Sequence, residues 1–330
     1  MKKGIVSCIY KLAVINPQHV MKPTEIWITE LKNGIFGSLT PIIDPFDNTK
    51  FYISDGWGSS YPSMKLRQLS FDNGKELKAV SIKNSVRCLY FNSDKTNIFA
   101  VSDNKIFQIN RTDFSIIKKF EKGIQKYSDY ISSNDKDILL VMNFNADFLF
   151  VYNYNSEKGT KKKLKTCRGI FKESDNTYLI FCARIGSVQQ YDLQTDKLNE
   201  ILKTEIFYKA HKSNANKFYL HLGKVIKATS NTHEKIEPIN QIDIYDKADL
   251  TKKVEIRLDF QFDKFIVSDN DETLYLIQNN RIWIYSILNK QVVEEIALNE
   301  KDRVAQLFDE QKLFITYKYD EQNKITCWKF

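Results

Sequence analysis

The 330-residue chain has little that would loosen or punctuate a backbone: 11 Gly and 6 Pro. That excludes a collagen-like or low-complexity chain. Its five cysteines (Cys8, Cys88, Cys167, Cys182 and Cys327) are odd in number and none forms a CxxC pair. A disulfide framework and a cysteine zinc site are both excluded on that count, and a reducing, cytoplasmic location is expected. Only four histidines occur, and no HxxxH. His211 and His221 fall on neighbouring strands, but a hairpin turning near Asn214–Asn216 sets His221 against Tyr208 and not against His211. No metal and no cofactor are therefore expected. A Gly-rich phosphate loop and a Gly-x-Ser-x-Gly elbow are missing too; Gly56-Trp57-Gly58 has no strand-to-helix context. No apolar run approaches the ~18 residues of a membrane span. The opening MKKGIVSCIYKLAVI places two lysines before an apolar stretch, as a secretory leader would. Ser7, Tyr10 and Lys11 interrupt it and no small-x-small site follows, so secretion is not expected.

Charge of one sign is also scarce. Net charge is +8, from 49 basic and 41 acidic residues. Apart from Lys161-Lys162-Lys163 and Lys165 the lysines are scattered, so a nucleic-acid partner is not expected.

What is present is apolar and repetitive. Hydrophobic residues make up 42 %, with 22 Phe and 17 Tyr, enough for a sizeable core. A short apolar run after an Asp/Asn-rich turn recurs seven times: FYIS (51–54), NIFAVS (97–102), DILLVMN (137–143), TYLIFCA (177–183), KFYLHLG (217–223), ETLYLIQ (272–278) and KLFITYK (312–318). The starts at 97, 137, 177 and 217 are 40 apart; the next step is 55 and the last is 40 again. Most copies follow an apolar run and a polar turn, as in CLYFNSDKTN and KFIVSDNDE. After each comes an alternating run, such as KIFQIN (105–110) or RIWIYSI (281–287), then a polar turn and a weaker strand. Four antiparallel strands in about 40 residues is the content of a propeller blade.

The expected fold is therefore all-β, one seven-bladed β-propeller of four-stranded antiparallel blades over residues 1–330. The blades are expected at 35–83, 86–122, 127–165, 168–202, 206–258, 262–298 and 304–330. The chain stops on a third strand, so the N-terminal run, within 1–15, is expected to close the last blade by pairing with the C-terminal strand. The 55-residue step requires extra material in blade five. Either QIDIYDK (241–247) is its third strand, with VEIRL (254–258) fourth and a long loop over 224–238, or VIKATS is the third strand.

The stretch YFNSDKTNIFAVSDNKIFQIN resembles the pattern of YVTN-type and WD-like propeller repeats, and residues 271–296 look similar from second strand to fourth. The resemblance covers nearly all of residues 35–330. It implies the fold. The turn Gly and the repeated Gly-His and Trp-Asp pairs of true WD repeats are missing, so no binding residues carry over from that family.

Counting back from the second-strand anchors gives the starts of the inner strands: Arg87, Tyr127, Arg168, Tyr208, Asp263 and Arg303. Three of the chain's eight arginines fall there. Guanidinium offers donor forks suited to carboxylate or phosphate. The loop Asp55–Met64 joins the second and third strands of blade one, on the same side, and carries Trp57 and Tyr61, anchor types of binding surfaces. The ligand-binding candidates are thus Arg87, Arg168, Arg303, Tyr127, Tyr208, Trp57 and Tyr61. A non-catalytic binding or scaffold protein is expected, with a protein or peptide partner or an acidic ligand at the channel mouth. The alternative is an enzyme, or an enzyme's accessory subunit, acting on a small anionic or peptide substrate on the axis; no His/carboxylate cluster supports it.

Overall fold

The computed structural model describes residues 19–35, 39–55, 64–82, 84–103, 105–121, 124, 128–143, 147–164, 166–227, 234–321 and 323–330. Two short strands lead: β1 (His19–Met21) and β2 (Thr24–Glu30). Blade one holds β3 (Ile42–Asp44), β4 (Asp47–Ser54), β5 (Met64–Ser70) and β6 (Glu76–Ile82). Blade two holds β7 (Val86–Phe91), β8 (Asn97–Ser102), β9 (Ile106–Asn110) and β10 (Ile116–Phe120). Blade three holds β11 (Tyr130–Ser133), β12 (Ile138–Met142), β13 (Phe148–Asn153) and β14 (Lys158–Lys163). Blade four holds β15 (Cys167–Lys172), β16 (Thr177–Cys182), β17 (Ser187–Asp192) and β18 (Lys197–Lys203). Blade five holds β19 (Phe207–Lys212), β20 (Lys217–Lys227), β21 (Glu234–Asp246) and β22 (Asp249–Arg257). Blade six holds β23 (Lys264–Val267), β24 (Thr273–Gln278), β25 (Arg281–Ser286) and β26 (Gln291–Ala297). Blade seven holds β27 (Asp302–Phe308), β28 (Leu313–Lys318) and β29 (Lys324–Lys329). The strands of each blade follow one another as a meander, to which β1 adds beside β26 and β2 beside β29.

The chain forms two compact units. One consists of blades four to six with β1; the other consists of blades seven, one, two and three with β2. Within each unit the second strands are buried on both faces, and neighbouring blades share their cores. Tyr52, Leu66, Ile98 and Phe107 join blades one and two. Leu179, Phe181, Phe218 and Leu220 join blades four and five. Strands buried on both sides read as continuous apolar runs, which is why the second-strand anchors stood out.

The turns explain how the repeat manages with little glycine. Between first and second strands the left-handed residue is Lys95, Asp135, Asn216, Asp271 or Lys312; between third and fourth it is Gly74, Phe114, Glu157, Asp196 or Lys290. Asx turns hold many of these corners. Asp94 Oδ1 accepts from Thr96 N at 2.9 Å and Oγ1 at 2.8 Å, and Asp113 Oδ1 does the same with Ser115 at 2.8 and 2.7 Å. Some turn acids also tie blades together. Asp271 accepts from Tyr219 Oη and Ser213 Oγ, both at 2.8 Å, and Asp135 accepts from Tyr90 Oη at 2.7 Å.

Two expectations are corrected. The strand that completes blade seven is β2, Thr24–Glu30, not a run within 1–15, which lies outside the described residues. β2 pairs antiparallel with β29, from Thr24↔Lys329 to Glu30↔Lys324. The reason is Trp27. It packs against Phe51, Phe71 and Ile325, and its indole Nε1–H donates to Phe71 O at 2.6 Å. Ahead of it, β1 adds in parallel to the outer strand of blade six, His19↔Glu294 to Met21↔Ile296.

Blade five holds the second correction. Residues 224–227 and 234–238 are strand rather than loop. The third strand does contain 241–246, but β20 and β21 continue past the blade as one hairpin arm, pairing from Gly223↔Pro238 to Lys227↔Glu234. VIKATS begins on that arm and is not the third strand.

Candidate functional site

The candidate residues sit where the first strand of each blade begins. A bulge marks several of these starts. The β7–β8 register slips between Val86 and Cys88, and the β19–β20 register between Phe207 and Lys209, leaving Arg87 and Tyr208 as the extra residues. A bulge takes its residue out of the regular alternation of the ladder; Tyr208 still packs against the core of blades four and five. Arg168 is the second residue of β15, Arg303 the second of β27, and Asp263 directly precedes β23. Trp57, Tyr61 and Tyr127 lie outside the described residues.

In the unit of blades seven to three, the arginines are engaged locally. Arg87 Nη2 donates to Asp129 Oδ1 at 2.7 Å and Nε donates to the same oxygen at 3.2 Å; Nη1 lies 3.6 Å from Asp103. Burial pushes the Asp103 carboxyl up, against the pull of Arg87. Arg303 Nη1 donates to two backbone carbonyls, Glu300 O at 2.6 Å and Asp302 O at 2.8 Å, and its guanidinium lies 5.6 Å from the Tyr319 ring.

The unit of blades four to six is different. Arg168 and Tyr208 are brought together, the guanidinium 5.9 Å from the ring centroid. Two lysines that the arginine count passed over join them. Lys209 Nζ lies 5.5 Å from the Tyr208 ring and donates to Asp263 O at 3.2 Å, a backbone carbonyl. Lys209 has no ion pair among the described residues. Its side chain keeps an opening to solvent, yet protein packed around the ammonium strips much of its hydration. That burial, with repulsion from Lys264 and Arg168 outweighing the pull of Asp263, brings its pKa down to about 8. Burial also lowers Lys264, with Asp263 opposing. A signal for the pair was present in the sequence: the residues directly after Tyr208 and Asp263 are both lysines.

Beside this cluster the arm of blade five creates a pocket of about 460 Å³. Its lining includes Tyr208, Phe262 and Asp263 on one side and Lys235, Pro238 and Asn240 of β21 on the other. Gly223 lets the arm cross here: a Cβ on it would stand 2.5 Å from Ile236 Cγ2 and 2.8 Å from Glu237 O. At the arm's base β21 bulges, since Ile242 faces His221 but Pro238 faces Gly223. His221 fills the bulge. Its Nε2–H donates to Ile239 O at 2.9 Å, and its ring stacks on Phe262 at 4.2 Å and meets Tyr208 edge-on at 5.8 Å. Burial pulls its pKa down to about 4, so the ring is neutral at pH 7. In register, His221 faces Lys209, with Tyr208 in the adjoining bulge, and His211 faces Tyr219.

Among the described residues no group of three or more His, Cys, Asp or Glu could hold a metal ion. No helix of the described residues is long and apolar enough to cross a membrane. The arrangement offers a cationic, aromatic-floored recess.

No protein-family model matches the chain, and no curated protein matches it. Among solved structures it is similar to the WD40 domain of Neurospora crassa Pan2, with a TM-score of 0.67 and 12 % identity, over 94 % of this chain and 97 % of that one. At that identity the likeness is one of fold: a seven-bladed β-propeller of four-stranded antiparallel blades.

Proposed function

We propose that the chain is a non-catalytic binding propeller whose partner is a protein or peptide bearing acidic side chains. The observation that supports this most is the grouping of Arg168 and Lys209 over Tyr208, with Lys264 close enough to repel Lys209, at the first-strand starts of blades four, five and six. Like charges held in partly desolvated positions raise the energy of the free protein, and an arriving carboxylate relieves it. The proposed contact set is Arg168, Tyr208, Lys209 and Lys264. Arg87 is already given over to Asp129 and Asp103, and Arg303 to its own turn, so both are secondary in this reading. Trp57 and Tyr61 are proposed as partner contacts of their own loop, on its sequence position alone, and not as members of this set.

A fluorescein-labelled oligoglutamate peptide tests the reading by anisotropy. Lys209→Met and Lys264→Met together are expected to weaken it at least tenfold, with unchanged circular dichroism, and affinity is expected to fall with salt. Equal affinity for the wild type and the double variant overturns the reading, as does no binding by either.

A further inference from the structure

Beyond the blade, the arm is a two-stranded ribbon. β21 pairs with β20 along one side from residue 234 to 238, while its pairing with β22 begins only at Gln241↔Arg257, extended by the bond from Leu258 N to Asn240 O. Among the described residues no strand lies on the other edge of 235–239. That bare edge borders the pocket, and the pocket's far wall, Tyr208 and Asp263, belongs to the cation cluster. A ribbon of two strands is marginal by itself in water. Here its root is packed: Ile236 is buried in the core of blades four and five, with Val225 and Ile239 against it. The edge is therefore held in place, extended, and open. Pro238 has no N–H to offer, which limits an added strand to a few residues and suits an edge that must not recruit strands indiscriminately. The same unit already carries one added strand, β1 on the outer edge of β26.

The charges set the chemistry of the occupant. Lys235 is paired with Glu237 at 3.0 Å on the arm, and Asp263 faces the pocket. Arg168, Lys209 and Lys264 outnumber these carboxylates on the side towards Tyr208. An extended segment lying along the edge would send alternate side chains one way, towards the cations, and the others back over Phe262 and Pro238.

We propose that an extended acidic segment of the partner protein adds as a short β-strand to the free edge of β21 over residues 235–237, with an acidic side chain reaching the Arg168, Lys209 and Lys264 cluster. This rests on the binding function proposed above and supplies its mode: main-chain bonds give affinity, and the cations choose the side chain.

The test uses the full chain and a fluorescein-labelled octapeptide of alternating Val and Glu. Two isomers carry N-methyl groups on alternate residues, one blocking each edge of the peptide as a strand; charge and composition stay the same. Strand addition is expected to cost one isomer at least tenfold in affinity and to leave the other within threefold of the unmethylated peptide. Two isomers that bind alike overturn the strand mode. If Lys209→Met still weakens them, the acidic-partner reading survives without it. If Lys209→Met changes nothing, that reading fails as well. Replacing residues 224–237 by Asn-Gly is a second arm, expected to abolish the difference between isomers; a persisting difference overturns the assignment to this edge.

Discussion

Gly74→Ala should unlatch the closing strand. Gly74 ends the third-to-fourth-strand turn of blade one with φ +66, and β2 lies directly over it. A Cβ there would stand 2.2 Å from Thr29 Oγ1 and 2.4 Å from Trp27 Cε3. Both belong to β2, and Thr29 Oγ1 also donates to Gly74 O at 2.9 Å. The left-handed backbone alone costs an alanine about 1–2 kcal/mol. Neither contacting atom is the far end of a flexible side chain, so β2 itself must shift. Shifting it weakens the Trp27 indole bond and part of the burial of a side chain that covers roughly 200 Å², worth about 5 kcal/mol when fully buried. A loss of about 3–5 kcal/mol is expected, read as a lower midpoint of the first urea transition. In a background carrying both Trp27→Ala and Thr29→Ala the contacting atoms are gone, and the same substitution should cost only about 1–2 kcal/mol, the backbone part. The reasoning is refuted if Gly74→Ala stays within about 0.5 kcal/mol of wild type, or if its cost simply adds to that of the background.

Three further outcomes follow from buried polar groups. His221 takes up protons in the unfolded chain from pH 6.5 downward but in the native state only near 4; its contribution is intact above pH 6.5 and lost as pH falls towards 4, by about 3 kcal/mol, and His221→Gln should flatten that slope of urea stability against pH. Lys209 is depressed from 10.5 to about 8, so the cost of its buried charge is full at pH 7 and disappears as pH rises from 8 to 10.5; Lys209→Met should stabilise by about 1–3 kcal/mol at pH 7, screening by its solvent opening included, with the gain shrinking over that window. A destabilised Lys209→Met protein at pH 7 would contradict this. Asp271→Ala strips the partners from the Tyr219 and Ser213 hydroxyls and should cost about 3 kcal/mol in thermal or urea unfolding, whereas Asp271→Asn, which tolerates φ +59 and keeps an acceptor, should cost less than half of that.

The blades were legible because each is one local pattern: a second strand buried on both faces, flanked by Asx turns, repeated at a fixed step. What the sequence hid was set by contacts distant along the chain. TEIWITE and GIVSCIYKLAVI are both apolar enough to close a blade. The choice between them lies with Phe71 O and Gly74, more than forty residues on from Trp27 and Thr29. The arm of blade five is hidden in the sequence because Pro238 and the polar stretch after Lys227 break the strand pattern; at a free edge, a proline costs the sheet no ladder bond. Asp135 and Asp271 were visible as turn formers, but the tyrosines they accept from lie over forty residues away, on the preceding blade.

The site was half legible for a related reason. Position in the repeat points to Arg168 and Tyr208, while Lys209 and Lys264 each lie one residue beyond the counted starts, Tyr208 and Asp263. The fold does not make that distinction. A bulge at the start of β19 shifts the side chains, so that Tyr208 and Lys209 both serve one spot, and Lys264 approaches it from the next blade. Burial works against such a group: a chain selected for stability alone would place Met or Leu at 209, as it places Val304 at the matching point of blade seven. Keeping ammonium groups there, beside a guanidinium and over an aromatic ring, has a stability cost that an incoming carboxylate would offset. The stability and binding of Lys209→Met should therefore move in opposite directions, a firmer fold with a weaker grip on the acidic peptide. A merely structural lysine would not couple the two in that way.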